Sequence, residues 1–145
     1  MPNEQSAQTN GPIQDGQVGD EAVVTKVSPW PMADTLARLT AVIAARGMEV
    51  IAIIDHSGEA RDAGLDMPEM KLVLFGSPSV TAPVVKAAPL AALDLPLRVL
   101  VCEDGYQTLV SYPAPEAAAR RHGLDGDLAA ALHSVDAVTA AVIDR

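Results

Sequence analysis

The chain has one cysteine, a single Trp and a single Phe, and aromatic residues make up only 3% of its 145 positions. Each scarcity excludes something. Cys102 alone cannot close an intramolecular disulfide or build a cysteine-based zinc site, and with no Cys-x-x-Cys-His there is no covalent c-type haem. In "LRVLVCED" it reads as a small buried apolar side chain. Cations are also few, with ten Lys and Arg against 19 Asp and Glu and a net charge of −9. Nucleic-acid surfaces need clustered cations, and single-strand binders add stacking rings, so this composition argues against that role. The same charge disfavours anionic membranes and favours solubility. No stretch reaches the ~18 consecutive apolar residues of a membrane span. The start, "MPNEQSAQTNGPIQDGQVGD", has neither the basic nor the apolar region of a secretory signal. A cytoplasmic protein is the default expectation. Missing too are a P-loop, a Gly-x-Gly-x-x-Gly fingerprint and a Gly-x-Ser-x-Gly elbow.

What is present is aliphatic. Apolar residues make up 49% of the chain, so the core must be filled by Ala, Val, Leu and Ile. Residues 1–20 hold only isolated aliphatics and are expected to form a mobile tail, leaving one domain over 21–145. "EAVVTKVSP" reads as a first strand ending at Pro29. Met32, Leu36, Leu39 and Ile43 then recur at helical spacing, which predicts a helix over 31–46 with Gly47 as its left-handed C-cap. "MEVIAIID" and "EMKLVLFG" read as strands, separated by a polar segment with a short helical turn near 58–63. "SPSVTAPVVKAAPLAALDLP" carries four prolines, which preclude a long regular helix and predict irregular or short helical structure. "LRVLVCE" and "YQTLVSY" flank Asp104-Gly105, the signal of a two-residue type I′ hairpin. "APEAAARRHG" predicts a short helix, and a longer one starts near Asp125 with Leu128, Leu132, Val135 and Val142 on one face. A hairpin plus helices gathered on one side predicts an α+β sandwich with an antiparallel sheet.

Several of these segments resemble a known family. A helix ending in Gly47, a strand ending in Asp55-His56, the turn Phe75-Gly76-x-Pro78 and the run Leu93-Asp94-Leu95-Pro96-Leu97 before an acidic strand end form one pattern. Over roughly residues 22–124 this is similar to the uncharacterised bacterial domain-of-unknown-function family 302. The resemblance implies a curved antiparallel sheet backed by helices, of the TATA-binding-protein-like type, and often a homodimer. It implies no activity. The chain departs from the family pattern at Ser77, at Val80-Thr81 and at Cys102, which alters the lining expected of any pocket.

Asp55-His56 stands where a buried strand releases the chain into a turn. Either the pair closes the strand end through ordinary hydrogen bonds, or it lines a pocket. A neutral His near pH 7 can donate, accept or bind a metal. One His makes no metal site without converging partners such as Glu59, Asp62 or Asp94. "GSPSVTAP" could offer backbone amides to an anion, or Ser77, Ser79 and Thr81 could be plain caps. Asp94 is expected to fix its loop by accepting from backbone amides. Glu103-Asp104 reads as turn chemistry, His122 as a helix C-terminal cation, His133 as solvated and Trp30 as a core edge. The candidate ligand-binding set is His56, Asp55, Gly76, Ser77, Thr81 and Asp94, for a small-molecule or anionic ligand, with no catalytic residue and no metal ligand assigned. A non-catalytic binding or sensing module leads. A protein–protein scaffold follows, and an enzyme or a metal- or haem-binding protein using His56 comes third.

Overall fold

A computed structural model describes residues 23–145; the expected tail and the first two residues of the expected domain lie outside the described part. The order is β1 (Val23–Ser28), α1 (Met32–Ala45), β2 (Glu49–Asp55), α2 (His56–Asp62), β3 (Met70–Gly76), α3 (Pro78–Ala87), a 3₁₀ turn (Pro89–Asp94), β4 (Leu97–Asp104), β5 (Gln107–Pro113), α4 (Pro115–Arg121), α5 (Gly126–Leu132) and α6 (Ser134–Ile143). The five strands form one sheet in the order β1-β5-β4-β3-β2, antiparallel at every pairing. The α+β class expected from the sequence is the one observed. β1 and β2 occupy opposite edges, so α1 carries the chain across the whole sheet.

Strand alternation decides which face is covered. Val73 and Phe75 of β3, Val99 and Val101 of β4, and Val110 and Tyr112 of β5 point to one side and are buried. Leu39 and Ile43 of α1 and Val135, Val138 and Val142 of α6 complete that core. α1 ends as its sequence predicts. Gly47 has φ +77, and the Met48 and Gly47 amides donate to the Ile43 and Ala44 carbonyls at 3.1 and 3.0 Å. A second cluster joins α3 and the 3₁₀ turn to α4 and α5 through Val84, Ala91, Ala119, Leu124 and Leu132.

Polar groups under the helices are satisfied. Tyr112 Oη donates to Asp136 Oδ1 at 2.7 Å, and Lys26 Nζ donates to Thr139 Oγ1 at 2.8 Å. Burial pulls the Lys26 ammonium below its ordinary range, with Asp136 partly offsetting it, and burial likewise pushes the Tyr112 phenol up. Trp30 Nε1 donates to the Val142 carbonyl at 3.1 Å, with the Arg38 guanidinium 4.4 Å from the ring centre, so the indole does close a core edge. Among the described residues no buried side-chain nitrogen or oxygen lacks a partner.

Two local expectations are corrected. The hairpin closes on Gly105-Tyr106, because Asp104 already pairs with Gln107. Gly105 has φ +64 while Tyr106, like every other described non-glycine residue, has no positive φ, the signature of a type II′ turn rather than I′. The long C-terminal helix is broken at His133 (φ −74, ψ −3) into α5 and α6. Gly126–Ile143 is long and apolar enough to cross a membrane by length and composition alone. Here its Leu132, Val135, Val138, Thr139 and Val142 are buried in the domain. The proline-rich segment resolves into α3, with Pro83 inside it, and the 3₁₀ turn begun by Pro89.

Candidate functional site

The Asp55-His56 pair divides its labour. Asp55 is the N-cap of α2: its Oδ1 accepts from Ser57 Oγ at 2.7 Å and from the Gly58 amide at 2.9 Å. Those two bonds hold its carboxyl below the usual carboxylate range. Ser57 Oγ also accepts from the Met70 amide at 3.1 Å, pinning α2 to the start of β3. Glycine at 58 leaves room for this cap: a β-carbon there would lie 2.5 Å from Asp55 Oδ2 and displace the carboxylate. His56, the first residue of α2, is left half exposed. Its Nδ1 stands 3.8 Å from Glu59 Oε1, too long for a hydrogen bond.

His56 faces the open side of the sheet. There Leu72 of β3 pairs with Leu100 of β4, and Leu74 pairs with Arg98. Together with Val23 and Pro113 at the β1–β5 side, Leu72, Leu100, Arg98 and His56 line a groove of about 310 Å³. Its lining is largely apolar. The Ser111 hydroxyl beside it is already committed to Thr25 Oγ1 at 2.9 Å. Arg98, an intermediate-burial residue between leucines, makes no hydrogen bond or ion pair with any described residue. Its guanidinium nitrogens therefore stay open to solvent, where an anion entering the groove can reach them.

The other sequence candidates lie elsewhere. β2 and β3 pair Asp55 with Lys71 and Glu49 with Gly76, so Gly76 and His56 stand at opposite ends of a strand, ~17 Å apart. Ser77 carries α3 through its carbonyl, which accepts from the Val80 and Thr81 amides at 3.0 Å each, while its hydroxyl meets Ser79 Oγ at 3.0 Å. Because Pro78 has no N–H and the Val80 and Thr81 amides are spent on the Ser77 carbonyl, the Ser79 amide is the one in this first turn still open to an anion. Gly76, Ser77 and Thr81 line a separate hollow with Ile51 and Val85.

Asp94 bonds side chains rather than backbone amides. Its Oδ2 meets Arg121 Nη1 at 2.8 Å and His122 Nε2 at 2.6 Å, tying the 3₁₀ turn to the end of α4. Burial pushes the Asp94 carboxyl up, but the bonds from His122 and Arg121 outweigh it and its net shift is downward. Asp94 and Arg121 flank a smaller cleft of about 80 Å³, which shares Arg98 and Pro113 with the groove. The structure therefore does not bring His56, Ser77 and Asp94 together; it brings His56 together with Arg98. His133, expected to be solvated, is partly exposed but holds Asp136 Oδ2 at 2.9 Å. Among the described residues no three His, Cys, Asp or Glu side chains are placed to hold a metal ion. Burial raises the Cys102 thiol, with Asp104 adding to it, which makes it a poor nucleophile.

The family model described as "Domain of unknown function DUF302" matches residues 24–142. Its fold is shared by a solved structure of an uncharacterized conserved DUF302 protein from Bacillus stearothermophilus, with a TM-score of 0.72 at 21% identity over 84% of this chain and 95% of that one. Among curated proteins, the "Fluoride-specific ion channel FluC 1" of Brucella suis is 34% identical over 113 residues, or 76% of this chain and 44% of the channel protein. "Fluoride-specific ion channel FluC 2" of Brucella melitensis is also 34% identical over 113 residues, with 42% of its length covered. The chain thus spans less than half the length of the curated relatives it matches.

Proposed function

The chain belongs to the family Domain of unknown function DUF302, and from that premise, which names no chemistry, we propose that it is a non-catalytic module binding a small apolar molecule that carries an anionic group, in the groove on the open face of its sheet. The observation that carries this reading is Arg98, a half-buried guanidinium with no partner among the described residues, set in a leucine-lined groove with His56 at its rim. Apolar walls supply burial and one placed cation supplies orientation, the usual division in small-molecule sites. Asp55 holds the start of α2, and hence His56, in place.

The test uses 1-anilinonaphthalene-8-sulfonate, an aryl anion with a fluorescence readout. Wild-type protein is expected to bind it saturably at one site, and Leu100→Glu, which puts a carboxylate into the groove, is expected to abolish that binding while the fold persists. Equal binding by the variant would move the site elsewhere, and absence of binding by the wild type would end the reading.

A second reading, an interaction domain, is supported by Ile51, Ile53, Leu90 and Leu93, which are all exposed, and by the channel relatives, in which a region similar to this chain is less than half the protein. In that role the module sits beside a membrane channel. The β2 edge carrying Ile51 and Ile53 is also where a second copy would add to the sheet, were the chain a homodimer. Ile51→Lys with Leu93→Lys is expected to weaken such contacts without touching the groove, which separates the two readings.

A further inference from the structure

The groove and the small cleft adjoin each other at the end of the sheet, where Arg98 and Pro113 line both. The cleft adds a second guanidinium. Arg121 spends Nη1 on Asp94 at 2.8 Å, and its Nε and Nη2 donate to no described residue. Its remaining walls are small and apolar, with Ala117, Ala118 and Leu132 among them. At about 80 Å³ the cleft admits a few waters or a planar head group, while the groove is about four times larger. Of the charged side chains lining the cleft, Arg98 and Arg121 are positive and Asp94 negative, which leaves one surplus positive charge. His122, bonded to Asp94 from outside the lining, adds to it when protonated.

Resting on the groove reading above, we infer that the ligand is an amphipathic monocarboxylate whose head group lies in the cleft between Arg98 and Arg121 and whose chain runs along Leu100 and Leu72 towards His56. A carboxylate matches the surplus charge one for one. Its planar pair of oxygens also matches the fork of a guanidinium, which an alcohol or an ammonium cannot do. Asp94 has a defined part here. By holding Arg121 Nη1 it fixes the plane of that guanidinium, and it sets the limit of one negative charge that the cleft accepts. Arg121 is then a binding residue, and Asp94 a positioning residue acting through it.

Isothermal titration calorimetry with octanoate, octanol, octylammonium and acetate tests this on the wild type and on Arg121→Gln, Arg121→Lys and His56→Ala. Arg121 is half exposed, so these variants are expected to fold, with circular dichroism as the check. Wild-type protein is expected to bind octanoate at least tenfold more tightly than octanol, octylammonium or acetate. Arg121→Gln is expected to lose about tenfold for octanoate and nothing for octanol. Arg121→Lys, which keeps the charge but not the fork, should fall between, and His56→Ala should weaken octanoate and octanol alike. Octanoate affinity unmoved in Arg121→Gln would overturn the head-group assignment and leave the groove reading standing, whereas octanoate and octanol binding equally would overturn the anionic part of both. If no member of the panel binds the wild type, the groove reading falls with it.

Discussion

Gly58 and Asp55 fit only as a pair. The Gly58 amide donates to Asp55 Oδ1 at 2.9 Å, and the space where a β-carbon would sit at 58 is taken by Asp55 Oδ2, 2.5 Å away. Gly→Ala inside an exposed helix normally stabilises by ~1 kcal/mol. Here the sign is expected to reverse: Gly58→Ala should cost roughly 1–2 kcal/mol, because the carboxylate must move and give up its cap. Asp55→Ala should also lower stability, and the double variant by less than the sum, since both lose the same contact. Urea unfolding measures all three. A stabilised Gly58→Ala would contradict the cap geometry.

Acid should unfold the protein partly through Asp94. Its folded titration lies below the ordinary 3.8, with the bonds from His122 and Arg121 outweighing burial. A depressed carboxyl adds stability that is present above the unfolded value and lost as pH falls through the lower folded one. Thermal midpoints are therefore expected to drop below about pH 4, and the drop should be shallower in Asp94→Asn, which has no charge to lose. Equal slopes in the two proteins would remove Asp94 from the acid limb.

Arg98 should be worth more to binding than to folding. Replacing a guanidinium that has no partner among the described residues with an apolar side chain of similar length adds apolar contact beside the leucines and strands no described partner. Arg98→Met is expected to hold or raise stability, by roughly 0.5–1 kcal/mol, in thermal unfolding. A loss of 2 kcal/mol or more would show that Arg98 supports the fold instead.

Local pattern made much of the fold legible. Helical spacing located α1 and its glycine cap, and period-two alternation located the strands, because both periods are written in neighbouring residues. The hairpin slipped by one position for a local reason. Asp104-Gly105 offers a glycine to either of two primed turns, and only the pairing of Asp104 with Gln107 selects Gly105-Tyr106. The break at His133 separates Leu132 in the second cluster from Val135, Val138 and Val142 in the main core, and the apolar spacing runs through it unmarked. Asp55-His56 was legible as a strand end, but the split into a cap and a groove residue depends on the room above Gly58. Arg98 went unread. Its place between Leu97 and Val99 in an alternating strand puts it on the open face, but that no described carboxylate reaches it is a tertiary fact. Asp94 with Arg121 and His122 is equally non-local, spanning 27 and 28 positions.

The most direct test of the groove is an amide chemical-shift titration of wild-type protein and Arg98→Met with sodium octanoate. The groove reading predicts saturable shifts at Leu72, Leu100 and His56 in the wild type, and at least tenfold weaker binding in a variant that is folded and no less stable. Shifts of equal size and affinity in both proteins, or none at these positions in the wild type, would contradict it.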